Sequence, residues 1–265
     1  MNYSPPNPTD PKAKTAMVLP HAGVLAISDE TLDESRIVAF DSHDEQARAF
    51  NLLRPQILRE AERGALKILG ITSPTPAAGK TFLSLNLAAA LSRIADRAVV
   101  LCDFDLRRGS IARAFQADVP IELSAHLRGE AAAWTDALYR INDTDCYILP
   151  CEPHTRGSGE LLSSEQFKAL IANLRALPEE VIVLCDLPPV FASDDALLTA
   201  QHLDAFLLVV EYGRNTSVQV KESLRLLDNV ECFGTILNNY KGGLLDAYGY
   251  GYGDRYGLKN YGAEG

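Results

Sequence analysis

An α/β fold, with a mostly parallel β-sheet covered by helices on both faces, is predicted by three observations. Short apolar runs recur along the chain at 66–72, 98–103, 146–150, 181–186, 205–210 and 232–237. Between several of them lie helical stretches, at 80–93, 165–177, 194–201 and 217–227. The runs are apolar throughout rather than alternating, which is the pattern of strands buried on both faces. The composition, 47% hydrophobic and 23% charged over 265 residues, suffices for a full core without disulfide or metal staples.

Taken in order, residues 1–40 come first and carry five of the fourteen prolines, at positions 5, 6, 8, 11 and 20. They show no sustained periodicity, so 1–20 reads as a flexible arm and 21–40 as weakly structured. Phe50, Leu53, Ile57 and Ala61 recur at helical spacing and predict a helix over 44–63. The helix at 80–93 has an inner stripe of Leu83, Leu87, Ala90 and Leu91. Two later helices open with capping-box spacing, Ser163 to Gln166 and Thr216 to Gln219. From Gly242 the chain carries eight glycines and five of its ten tyrosines, a composition that predicts a mobile tail over 242–265. The main domain is therefore expected at 41–241.

Charge and cysteine usage exclude several functions. Thirty-five acidic against twenty-five basic side chains give a net charge of -10, which argues against nucleic acid as the main ligand. Five cysteines without a CxxC pair read as reduced thiols of the cytosol, and Cys102 and Cys185 as small core hydrophobes. His126, His154 and His202 lack ligand spacing to one another or to cysteine, so they do not predict a metal site. The longest apolar stretches, such as 205–210, fall far short of the roughly 20 residues a membrane span needs. The Pro-rich, polar N-terminus does not resemble a secretion signal.

Three motifs carry chemistry. The loop Thr72-Ser73-Pro74-Thr75-Pro76-Ala77-Ala78-Gly79-Lys80-Thr81 joins a predicted strand to a predicted helix. That position aims backbone N–H groups and a helix dipole at an anion. Lys80 can reach terminal phosphates there and the Thr81 hydroxyl can ligate Mg²⁺. Of the glycines expected in such a loop only Gly79 remains; Pro74 stands at the first. The second motif, residues 99–108, places Asp103 and Asp105 at the C-terminal end of a buried strand, where ligands of open parallel sheets bind. The third, residues 181–190, presents Asp186 after an aliphatic run and then turns sharply at Pro188-Pro189, as a single-carboxylate Mg²⁺ site requires. Each acid alone is equally compatible with a strand terminator. Together with the loop they predict a Mg²⁺–nucleotide site.

The order SPTPAAGKT, VVLCDFDLRR and VIVLCDLPPVFASDDALL resembles the bacterial tyrosine kinases (BY-kinases) of exopolysaccharide and capsule loci, P-loop proteins of the deviant Walker branch. The resemblance covers roughly 40–240 and includes Glu160-Leu161-Leu162-Ser163-Ser164 and the 234–238 strand. It implies an ATP-dependent protein-tyrosine autokinase using ATP/ADP and Mg²⁺. Residues Ala77, Ala78, Gly79, Lys80, Thr81 and Phe82 would hold the nucleotide, and Asn238 would contact adenine. Thr81, Asp103 and Asp186 would serve the metal. Lys80, Asp103, Asp105 and Asp186 would be catalytic, with the acids also activating the incoming tyrosine hydroxyl. The tail tyrosines Tyr248, Tyr250, Tyr252, Tyr256 and Tyr261 would be the autophosphorylation cluster.

The implied partners are a membrane-embedded polysaccharide chain-length regulator, here a separate protein, and a cognate tyrosine phosphatase. The implied location is the cytoplasm, at the inner face of the plasma membrane through that regulator. Self-association is also implied, yet the family's Glu-x-x-Arg-x-x-Arg helix falls at Arg48, Asn51 and Arg54, so a closed octameric ring lacks two of its three residues. Ala77-Ala78 replaces a frequent Gly-Glu and can weaken nucleotide binding. Arg107 and Arg108 can serve the phosphates or merely open a solvated helix. Two other readings share the site: a partitioning or division-site ATPase, and a non-catalytic adaptor. The first usually carries an extra lysine early in the loop and a basic membrane helix or DNA face, none of which is present here.

Overall fold

A computed structural model describes residues 19–153 and 157–240. Eight strands form one sheet: β1 (Gly23–Leu25), β2 (Ile68–Thr72), β3 (Ala98–Asp103), β4 (Tyr139–Ile141), β5 (Cys146–Leu149), β6 (Val181–Asp186), β7 (Ala205–Glu211) and β8 (Glu231–Asn238). Their spatial order is β1-β4-β5-β3-β6-β2-β7-β8. Every neighbouring pair is parallel except β4–β5, a short antiparallel connection. The six strands predicted from sequence are all present, and β2, β3 and β6 are buried at every residue.

The helices are α1 (Asp29–Glu34), α2 (Arg48–Glu62), α3 (Lys80–Ser92), α4 (Ile111–Ala114), α5 (Leu123–Leu127), α6 (Ser158–Leu162), α7 (Glu165–Arg175), α8 (Asp195–Ala200) and α9 (Ser217–Leu226). Alternate residues of each central strand feed cores on opposite faces. Leu69 and Ile71 join one core with α2 and α3, whereas Ile68 joins the other with α7. Helix α3 is buried along nearly its whole length, which its apolar circumference requires. None of the described helices is long and apolar enough to cross a membrane.

Two expectations are corrected. Residues 21–40 are structured: β1 pairs with β4, and Ile37 and Ala39 enter the core. The buried Asn86 of α3 organises this segment, accepting from the Val38 and Ala39 amides and donating to the Arg36 carbonyl. Such long-range pairing has no local periodicity to betray it. The second concerns α7, whose cap is Ser164, accepting from the Phe167 amide at 3.1 Å, rather than Ser163 with Gln166. The capping box at Thr216 and Gln219 forms as expected. His154 and the five tail tyrosines lie outside the described residues.

Candidate active site

Parallel register brings the three motifs together. Strands β3, β6 and β2 are consecutive in the sheet, and Asp186 of β6 sits beside Asp103 on one side and Ile71 on the other. The chain leaving β2 therefore emerges next to both acids. It is held by the loop that follows β6: the Val190 and Phe191 amides donate to the Ser73 and Pro74 carbonyls, and Thr72 Oγ1 donates to the Pro188 carbonyl at 2.8 Å. The Pro-Pro turn thus braces the phosphate-loop candidate.

Gly79 cannot be replaced without cost. Its φ is 93°, and a Cβ there would meet Asn238 Nδ2 at 2.1 Å. Asn238 closes the loop from behind by donating to the Ala78 carbonyl at 2.9 Å. One of its two amide hydrogens is therefore engaged by the loop, leaving the other and Oδ1 for further contacts. Ala77 also has positive φ, 64°, a conformation that costs a non-glycine residue roughly 1–2 kcal/mol. The amides of Lys80, Thr81 and Phe82 open α3, where a helix has no intrahelical acceptors for them. Phe82 offers the loop only that amide, because its ring packs edge-to-face on Phe50.

Buried charge concentrates at this spot. Lys80 is 8% exposed and its Nζ lies 3.6 Å from Asp105 Oδ2, an ion pair too long for a hydrogen bond. Asp186 is fully buried; Oδ2 accepts from Thr81 Oγ1 at 2.5 Å and Oδ1 from Ser84 Oγ at 3.1 Å. Thr81 Oγ1 also lies 3.0 Å from Ser110 Oγ. Asp103 Oδ2 accepts from the Ser110 and Ile111 amides at 2.7 and 3.0 Å, while its Oδ1 is buried without a partner. Burial, and then the neighbouring Asp186, push the Asp103 carboxyl up to about 8. Burial also raises Asp186, against the pull of Lys80 and Thr81.

Three buried acids at the tips of β3 and β6, with Lys80 acting on Asp105 and Asp186, form an incomplete electrostatic arrangement, and an orphaned Asp103 oxygen points the same way. A magnesium-bound polyphosphate fits it: divalent charge beside the acids, anionic oxygens against the loop amides and Lys80. Among the described residues no three His, Cys, Asp or Glu side chains converge as a metal cage. Mg²⁺ in phosphoryl-transfer sites needs none, because substrate phosphates complete its shell. Thr81 and the nearby acids are the residues able to hold it.

The sequence-predicted residues Lys80, Thr81, Asp103, Asp105 and Asp186 thus converge. Ser84 escaped the sequence reading, although it lies one turn beyond Thr81 on the same helix face. Also missed was the engagement of Arg107, whose Nε donates to Asp195 Oδ2 at 2.8 Å and Ser158 Oγ at 2.9 Å. Nothing local in the sequence joins those three positions. Arg108 remains exposed.

A lysine-bearing loop between a central strand and a buried helix, with acids at the tips of the next two strands on one side, β6 and β3, defines a P-loop protein. No family model matches the chain. The tyrosine-protein kinase Wzc of Salmonella typhimurium is 33% identical over 189 residues, covering 70% of this chain and 26% of the relative. The solved kinase domain of the Escherichia coli tyrosine kinase ETK superposes with a TM-score of 0.73 at 28% identity, covering 87% of this chain and 93% of that domain. The septum site-determining protein MinD of Pyrococcus horikoshii, complexed with Mg-ADP, shares the fold, with a TM-score of 0.56 at 24% identity over 66% of this chain and 71% of its own. This chain belongs to the bacterial tyrosine kinase family. It spans about a quarter of the length of the curated relatives it matches.

Proposed function

We propose that the chain is an ATP-dependent protein-tyrosine autokinase acting on its own C-terminal tyrosines and regulating exopolysaccharide or capsule polymerisation and export. The observation that carries this reading is the convergence of Lys80, Thr81, Asp103, Asp105 and Asp186 at the tips of three adjacent strands. Mg²⁺–ATP, when bound, supplies the phosphoryl group and neutralises charge as it transfers. The loop amides and Lys80 bind and orient the phosphates, work that phosphoryl transfer needs more than covalent help. Thr81, held by Asp186, is the metal-facing hydroxyl, and Ser84 keeps Asp186 in place.

A phenol with pKa about 10 arrives protonated at neutral pH and must lose its proton as the new bond forms. Asp105, beside Lys80, and Asp103 are the carboxylates to which this role falls. Next to Asn238, beyond the ends of β7 and β8, lies a cavity of about 630 Å³ bordered by Tyr212, Arg214, Asn239 and Tyr240. Its aromatic, hydrogen-bonding lining suits the nucleobase. The acceptors are Tyr248, Tyr250, Tyr252, Tyr256 and Tyr261. A membrane-embedded chain-length regulator activates the kinase and keeps it at the inner membrane face, a tyrosine phosphatase resets it, and self-association presents one tail to another copy's site.

The test is incubation of the purified full chain with ATP and Mg²⁺, with and without the regulator's cytoplasmic segment, followed by mass spectrometry. Phosphotyrosine within 248–261 is expected. ATP hydrolysis without tyrosine labelling under both conditions would overturn the kinase reading in favour of a switching ATPase.

A further inference from the structure

Arg107 follows Asp105 by two residues on the turn leaving β3, a place from which an arginine can swing onto a bound phosphate. It points elsewhere. Its Nε is shared between Asp195 Oδ2 and Ser158 Oγ, and Ser158 Oγ itself donates to the same carboxylate oxygen at 2.9 Å. Asp195 opens α8 and is fully buried, with its Oδ1 left without a partner. Ser158 opens α6. The arginine therefore ties three segments that follow three different strands: the turn after β3, α6 beyond β5 and α8 beyond β6.

The turn it anchors has little freedom. Arg108 and Gly109 amides close onto the Asp105 carbonyl, Leu106 is buried, and a Cβ on Gly109 would strike the Cys151 carbonyl at 2.1 Å. That turn carries Asp105, the ion-pair partner of Lys80, and leads into the Ser110 and Ile111 amides that hold Asp103. We propose that Arg107 is a positioning residue: its ion pair with Asp195 fixes the 105–111 turn, and so sets where Asp105 and Asp103 stand relative to Lys80. A buried carboxylate compensated by one guanidinium is strongly held, because losing the partner strands a charge in the interior. The side chain is 44% exposed on its own account, so its removal leaves no large cavity.

The inference rests on the kinase reading for its rate measurement and is tested by two readouts that do not. Full-length wild type, Arg107→Ala, Arg107→Lys and the double variant Arg107→Ala/Asp195→Asn are compared. For Arg107→Ala the labelling rate at saturating ATP should fall at least about tenfold, the scale expected of misplaced catalytic groups, with Mg²⁺–ADP affinity changed less than about threefold. Amide hydrogen exchange across 105–111 should quicken. Arg107→Lys should recover part of both losses. The double variant should regain thermal stability, since no unpaired buried charge remains, without regaining the rate. Affinity for Mg²⁺–ADP weakened about tenfold with an unchanged saturating rate would make Arg107 a phosphate ligand and overturn the proposal. Unchanged exchange across 105–111 would overturn it as well. Should the wild type itself gain no phosphotyrosine, the kinase reading falls, and exchange and calorimetry alone decide the role of Arg107.

Discussion

The two rims of the parallel sheet treat their charged groups differently. At the N-terminal rim, Lys67 Nζ donates to the Leu177, Pro178 and Val181 carbonyls at 2.9, 2.5 and 2.8 Å. Asp204 Oδ2 accepts from both the Lys67 and Ile68 amides, and its Oδ1 from Arg175 at 2.6 Å. Each of these side chains closes a strand start or a helix end, and their demand is met within the chain. At the C-terminal rim, Lys80 faces Asp105 at 3.6 Å, Asp103 and Asp186 stand side by side on adjacent strands, and one buried oxygen of Asp103 has no partner. The chain itself satisfies the Lys67–Asp204 cluster, whereas the acids beside Lys80 are left incomplete at the sheet edge where a ligand can complete them.

Substitutions at the two lysines test this contrast most severely. Lys80→Met should lower tyrosine labelling by at least about 10³-fold, the scale of losing a preorganised charge in the transition state, while the melting temperature holds or rises. Lys67→Met should do the reverse. It removes a donor from three carbonyls and should cost about 3 kcal/mol of stability, with the folded fraction keeping its labelling rate. Thermal melts and initial rates on both variants settle the matter; a Lys80→Met protein that melts far below wild type would blur the distinction between the rims.

A smaller effect concerns pH. The folded Asp103 carboxyl is raised to about 8, by burial first and then by Asp186, with Asp105 adding to the repulsion and the Ser110 and Ile111 amides opposing it. Its stabilising contribution is therefore complete below the unfolded value of about 4 and fades as pH rises toward 8. The nucleotide-free protein should melt lower at pH 8 than at pH 5.5, and Asp103→Asn should flatten that slope while abolishing labelling. An Asp103→Asn protein with the wild-type slope would place the pH dependence elsewhere.

The same contrast explains what could be read from the sequence. Strands β2, β3 and β6 announce themselves because burial on both faces demands unbroken apolar runs, and the site residues sit at the ends of those runs. Asp103, Asp105 and Asp186 were legible for that reason, and Lys80 and Thr81 because they close the loop that joins such a run to a helix. Strands β1 and β4 are three residues each, and α1, with the sequence DETLDE, buries no residue, so neither had a pattern to offer. Their place is set by the Asn86 amide and by pairing across more than a hundred residues. The Arg107–Asp195–Ser158 tie and the Asn238 brace are likewise products of tertiary packing, in which spacing along the chain carries no information.

The central claim is that the charges of the C-terminal rim await a magnesium-bound nucleotide. Isothermal titration calorimetry of the full chain with ADP, in the presence and absence of Mg²⁺, measures it directly. The account predicts saturable binding at one site per chain that strengthens with Mg²⁺ and is lost in Lys80→Met. No heat of binding with Mg²⁺ present, or equal binding by wild type and Lys80→Met, would contradict it.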